Sequence, residues 1–164
     1  MTTQLQQYIE LGNKQAVYDL IDKEGKSVSD AQQFSVEHGR NDLLYDLIRR
    51  YELKASTPAF VVWNHNVGAV GIVLQFHPEL ALEMFLWAIM EADVGMLKTI
   101  NQYIDWTDVS SQRMTLILSV TPEMLSRDRM DLEFVKRLAR SRIENGKISH
   151  QQYSSVMQFL ETCA

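Results

Sequence analysis

Four histidines are the residues best placed to do chemistry: His38, His65, His77 and His150. His38 and His65 fall at corresponding places in successive segments, each at or beside a turn between helices, and Glu37 adjoins the first. Imidazoles with a carboxylate are the donor types of a zinc site. Stacked helices would hold the two histidines roughly 8–10 Å apart, too far for one ion held by bonds of about 2 Å. They are therefore expected to be polar turn residues, and no metal is expected. No His-Glu-x-x-His occurs, and His77-Pro78 reads as a loop leading into a helix from Glu79. The single cysteine, Cys163, allows no intrachain disulfide and no zinc site by itself, and no base is in view to activate its thiol. No serine lies in a Gly-x-Ser-x-Gly elbow. Gly68-Ala69-Val70-Gly71 is followed by neither Lys-Ser nor Lys-Thr, so it is not a phosphate loop. Two carboxylate pairs, Glu91 with Asp93 and Asp128 with Asp131, carry no sign of the burial that tunes a general acid. The expectation is a protein that is not an enzyme, with no catalytic residue and no cofactor.

Composition narrows the partners. A net charge of −5 opposes binding to phosphate backbones, so nucleic acid is not an expected partner. The densest basic stretch, Lys136 to Arg142, shares its helix with Asp131 and Glu133 and reads as a solvated face. The longest apolar runs, Ala59–Trp63 and Met84–Met90, are too short to span a bilayer. The N-terminus lacks the regions of a signal peptide. These features predict a cytoplasmic protein, with export by a specialised secretion system as the alternative. Scarce glycine (7) and proline (3) favour long helices over a turn-rich β fold.

The elements that would carry these residues follow a recurring spacing. Thr57-Pro58 reads as the N-cap and first residue of a helix, and Thr121-Pro122 repeats it. Starts at 3, 30, 57, 83 and 121 are each followed nine residues later by a turn position: Gly12, Gly39, Asn66, Ala92 and Met130. Gly12, Gly39 and Asn66 suit a left-handed helix end; Ala92 and Met130 do not. After each turn comes an apolar stripe: Ala16, Val17, Leu20 and Ile21; Leu43, Leu44, Leu47 and Ile48; Val70, Val73 and Leu74; Met96, Leu97 and Ile100; Phe134, Val135 and Leu138. A pair of such helices cannot bury both stripes alone, whereas layered pairs bury them on one another. The last step is longer, and its extra residues, within 106–120, read as a short strand or an extra helical turn. Ser149 starts a final helix over 149–162 that caps the stack.

The Thr-Pro starts and the turn nine residues on resemble the ankyrin repeat, with steps near 27 that leave no room for its hairpin fingers. The resemblance implies an all-α fold: one domain over 1–164 of about five antiparallel helix pairs plus a C-terminal capping helix. Another helical repeat and a bundle with coincident spacing are the alternatives. The resemblance also implies a concave protein-binding face made from the two residues before each turn position. These are Glu10 and Leu11, Glu37 and His38, Asn64 and His65, Met90 and Glu91, and Asp128 and Arg129. Four of the five pairs hold a carboxylate, which favours a protein partner bearing Lys or Arg. Trp63 and Trp87, earlier on the same helices, are expected to pack between helix pairs, with an interface anchor as the alternative. The expected function is a protein-interaction module: adaptor, inhibitor or delivered effector. A regulatory or structural helical subunit acting as a homo-oligomer is the alternative.

Overall fold

Short helices with one apolar stripe form here because caps and left-handed residues punctuate the chain every dozen residues. The computed structural model describes residues 2–91, 93–104, and 151, 154, 155, 158 and 159. Expectations for 106–120, for Thr121, Asp128, Arg129 and Met130, and for most of 149–162 lie outside the described residues. Among the described residues the secondary structure is all helical, without a strand. The α-helices are α1 (Gln4–Glu10), α2 (Lys14–Glu24), α3 (Val28–Glu37), α4 (Asn41–Tyr51), α5 (Thr57–Trp63), α6 (Val67–Phe76), α7 (Ala81–Met90) and α8 (Val94–Asn101). A 3-10 turn, Pro78–Leu80, precedes α7. No described helix is long and apolar enough to cross a membrane.

Caps place the helix starts. Thr3 closes a capping box: its hydroxyl accepts from the Gln6 amide at 3.2 Å, and the Gln6 side chain accepts from the Thr3 amide at 2.9 Å. Ser27 caps α3 by accepting from the Asp30 amide at 3.1 Å, so α3 starts before the expected position 30. Thr57 is not a cap. It is the first residue of α5, with Pro58 second, and its hydroxyl is buried and donates to Gln32 Oε1 at 2.7 Å. The tertiary partner outcompetes the local cap, because a buried Gln side chain needs its polar atoms satisfied. Three bonds hold the Gln32 amide: besides the one from Thr57, its Nε2 donates to the Glu52 carbonyl at 2.7 Å, and its Oε1 also accepts from the Lys54 amide at 3.0 Å. One side chain of α3 thereby shapes the loop from α4 to α5.

Contacts divide the chain into two compact units, Met1–Phe76 and His77–Ala164. In the first, α1 packs on α2 and α3, α3 on α4 and α5, α5 on α6, and α4 on α6. The three hairpins are therefore layered in chain order. A core joins Leu5 and Ile9 of α1, Val17, Leu20 and Ile21 of α2, Ala31 of α3, and Leu43 and Leu47 of α4. The longest of these helices have 11 residues. Isolated helices that short are marginal in water, so tertiary burial must hold them, at about 1.5–3 kcal/mol for each large apolar side chain. The first hairpin shows Gln4, Gln7, Glu10 and Gln15 to solvent. In the second unit α7 packs on α8 and on the 3-10 turn. Nearly all of α7 is buried, and Phe85 meets the ring of Phe159 at 6.4 Å.

The turn edge as a candidate partner-binding site

Each hairpin turn is built by the same pair of backbone bonds. In the first, the Gly12 amide donates to the Ile9 carbonyl at 3.0 Å and Asn13 to Tyr8 at 2.9 Å. In the second, Gly39 donates to Val36 at 3.2 Å and Arg40 to Ser35 at 2.8 Å. In the third, His65 donates to Val62 at 3.0 Å and Asn66 to Val61 at 3.1 Å. The left-handed residue of this motif is Gly12 at φ 69°, Gly39 at φ 66° and His65 at φ 52°. The turn in the second unit repeats the longer bond, Asp93 to Ala88 at 3.0 Å; Ala92 lies outside the described residues.

This geometry corrects the third turn. Asn66 does not take the left-handed slot; His65 does, and Asn66 follows as the N-cap of α6, accepting from the Ala69 amide at 3.2 Å. The cause is the side chain. The Asn66 Nδ2 donates to the Val36 carbonyl at 3.0 Å and to Asn41 Oδ1 at 2.9 Å, and Asn41 Nδ2 returns a bond to Asn66 Oδ1 at 3.2 Å. Hydrogen bonds worth roughly 1 kcal/mol each outweigh the roughly 1–2 kcal/mol that a left-handed histidine costs. Gly68 leaves room for this cluster, since a Cβ there would stand 2.7 Å from Asn41 Nδ2. At the preceding turn Arg40 makes a similar bridge, donating to the Glu10 carbonyl. Both side chains reach back to carbonyls near the end of the preceding hairpin's first helix, where helices leave carbonyls without their full set of intrahelical donors.

The expected pairs do not all fall where the spacing puts them. Glu10, Leu11, Glu37 and His38 precede their turns as expected and are exposed, Leu11 to 77%. The pair expected as Asn64 and His65 sits one residue late: the structural counterparts of Glu37 and His38 are Trp63 and Asn64. In the second unit Met90 is half-buried and Glu91 exposed. Trp63 is not packed between helix pairs. It is 55% exposed, with its ring 5.8 Å from that of Phe60. Trp87 is half-buried. His38 Nε2 lies 3.6 Å from Glu10 Oε1, so two expected site residues from neighbouring hairpins lie side by side. His77 pairs with Glu79 at 2.8 Å. Among the described residues, no three His, Cys, Asp or Glu side chains are arranged to hold a metal ion. Asp93, expected as half of a carboxylate pair, caps α8 by accepting from Met96 at 3.0 Å. Gly68 and Gly71 lie within α6.

Sequence reasoning missed Gln32, Arg40 and Asn41, whose partners are 20 to 30 residues away. A signal for the turns was present, however. The residues Asn13, Asn66 and Asp93 all cap second helices from the same slot, and that row is readable once capping types are aligned.

Charge also joins the second helices. Lys14 Nζ of α2 lies 2.5 Å from Asp46 and 3.4 Å from Asp42 of α4. The hydrogen bond to Asp46 raises the Lys14 pKa against the opposing effect of burial. Asp22 accepts from the Tyr51 hydroxyl at 2.8 Å and from Arg50 at 2.7 Å, and these bonds hold its carboxyl below the usual range. The Arg50 guanidinium lies 4.7 Å from the Tyr18 ring centroid and 5.4 Å from that of Tyr51.

Comparison with protein-family models, with curated proteins and with solved structures finds no match for the chain.

Proposed function

We propose that this chain is a non-enzymatic protein-interaction module: an ankyrin-like stack of shortened helix pairs that binds a Lys- or Arg-bearing protein through its hairpin turns. One observation carries the reading: the same turn recurs in the first unit, and each copy presents exposed side chains from the end of its first helix. Carboxylates at Glu10 and Glu37 in the first unit, and at Glu91 in the second, steer a basic partner more than they set its affinity. Such a module serves as an adaptor, an inhibitor or a delivered effector, and the reading places it in the cytoplasm.

The test uses Glu37→Lys and Glu91→Lys, separately and together, in affinity purification from the native cell. Partner recovery should fall, while helicity and Tm stay nearly unchanged because both side chains are exposed. Unchanged recovery overturns the assignment. Light scattering separates it from a homo-oligomeric subunit, since the module is expected to remain at 18.9 kDa at all concentrations.

A further inference from the structure

We infer that the third turn of the first unit is a recognition corner for a partner-protein segment in which a Lys or Arg adjoins a large apolar side chain. The inference rests on the module reading above and specifies its ligand. Trp63 ends α5 with 55% of its surface in water, although its ring already packs on Phe60, and Val67 just past the turn is 38% exposed. This apolar corner is tied to the preceding turn: Asn66 donates to the Val36 carbonyl at 3.0 Å and exchanges two bonds with Asn41. Glu37, the residue after Val36, is exposed. The carboxylate of Glu10 has His38 beside it; that of Glu37 forms no ion pair among the described residues.

The braced edge thus carries an exposed indole at the third turn and an exposed carboxylate one hairpin earlier. An indole receives an aliphatic or aromatic side chain and attracts a neighbouring cation, and a tryptophan on a rigid support is a typical anchor of protein recognition. Charge selects the class of occupant. Anionic lipid surfaces and nucleic acids are repelled by Glu37 and by a chain of net charge −5, as is a second copy of the chain. A cationic peptide segment meets both features.

A random peptide library displayed on phage, panned against the full chain, tests this directly. Wild type should enrich peptides with Lys or Arg adjacent to Trp, Phe, Leu or Met. A synthetic peptide of the enriched sequence should bind Trp63→Ala about tenfold more weakly. Glu37→Gln should weaken binding less and flatten its salt dependence. Circular dichroism should show both variants folded as wild type, since each side chain is exposed. Failure to enrich any peptide, enrichment of peptides without a cation, or equal binding to Trp63→Ala overturns the inference. Peptides that bind Trp63→Ala normally but lose binding to Glu37→Lys or Glu91→Lys overturn this corner while leaving the module reading intact.

Discussion

Two seams of the first unit share a spacing and differ in chemistry. Between α2 and α4, positions 14 and 22 meet 42, 46 and 50, so residues about one helix pair apart stand side by side and carry opposite charges. Between α4 and α6 the contact is apolar: Tyr45 and Phe76 pack at 5.3 Å, α6 carries no charged residue, and the Asn41–Asn66 amides close the turn end. Layering therefore needs only matched stripes. The ion pairs of the first seam add sensitivity to pH and salt, while apolar packing, which in that seam joins Val17, Leu20 and Ile21 to Leu43 and Leu47, supplies the larger share of stability in both, because half-exposed ion pairs return little net energy.

That contrast can be broken most strongly at a buried leucine. Leu74 of α6 is 1% exposed, and Leu74→Ala should cost about 2–5 kcal/mol in urea denaturation. In the charged seam Lys14, whose side chain is 38% exposed, should lose only about 0.2–1 kcal/mol on replacement by Met. Equal costs would dissolve the distinction. A gain is expected at the loop between the seams. Glu52 sits at φ 67°, ψ 161°, a region almost reserved for glycine, while its carbonyl serves Gln32. Glu52→Gly should raise stability by about 1 kcal/mol, the relief of strain exceeding the added freedom of the unfolded chain. A fall in Tm would show that the Glu52 side chain contributes more than its backbone costs.

The smallest effect belongs to acid. The pKa of Asp22 is lowered in the fold from an ordinary value of 3.8 by Tyr51 and Arg50. Its contribution is complete above the unfolded value and is lost as pH falls through the lower folded value. Asp42 shifts the same way: the Leu43 amide and Lys14 outweigh the upward push of its burial. Tm should therefore decline as pH falls from about 5 through and below the ordinary carboxylate value of 3.8, and Asp22→Asn should flatten some of that decline. An identical profile in the variant would remove Asp22 from the charged seam.

The comparison also marks where local and long-range information diverge. Helix identity and the buried stripes were legible in the chain itself. Leu43, Leu44, Leu47 and Ile48 are all buried as their spacing requires, as are Val70, Val73 and Leu74, and Met96, Leu97 and Ile100. Periodicity, caps and glycine act within about a turn of helix, so neighbours in sequence suffice to read them. Fold packing alone decided that Thr57 would serve Gln32 rather than cap α5, and that Asn66 would brace two hairpins while His65 took the left-handed turn. It moved Trp63 onto the exposed edge in the same step. In each case two nearly equal local choices were separated by hydrogen bonds to residues more than 20 positions away, and those partners exist only once the helices have stacked.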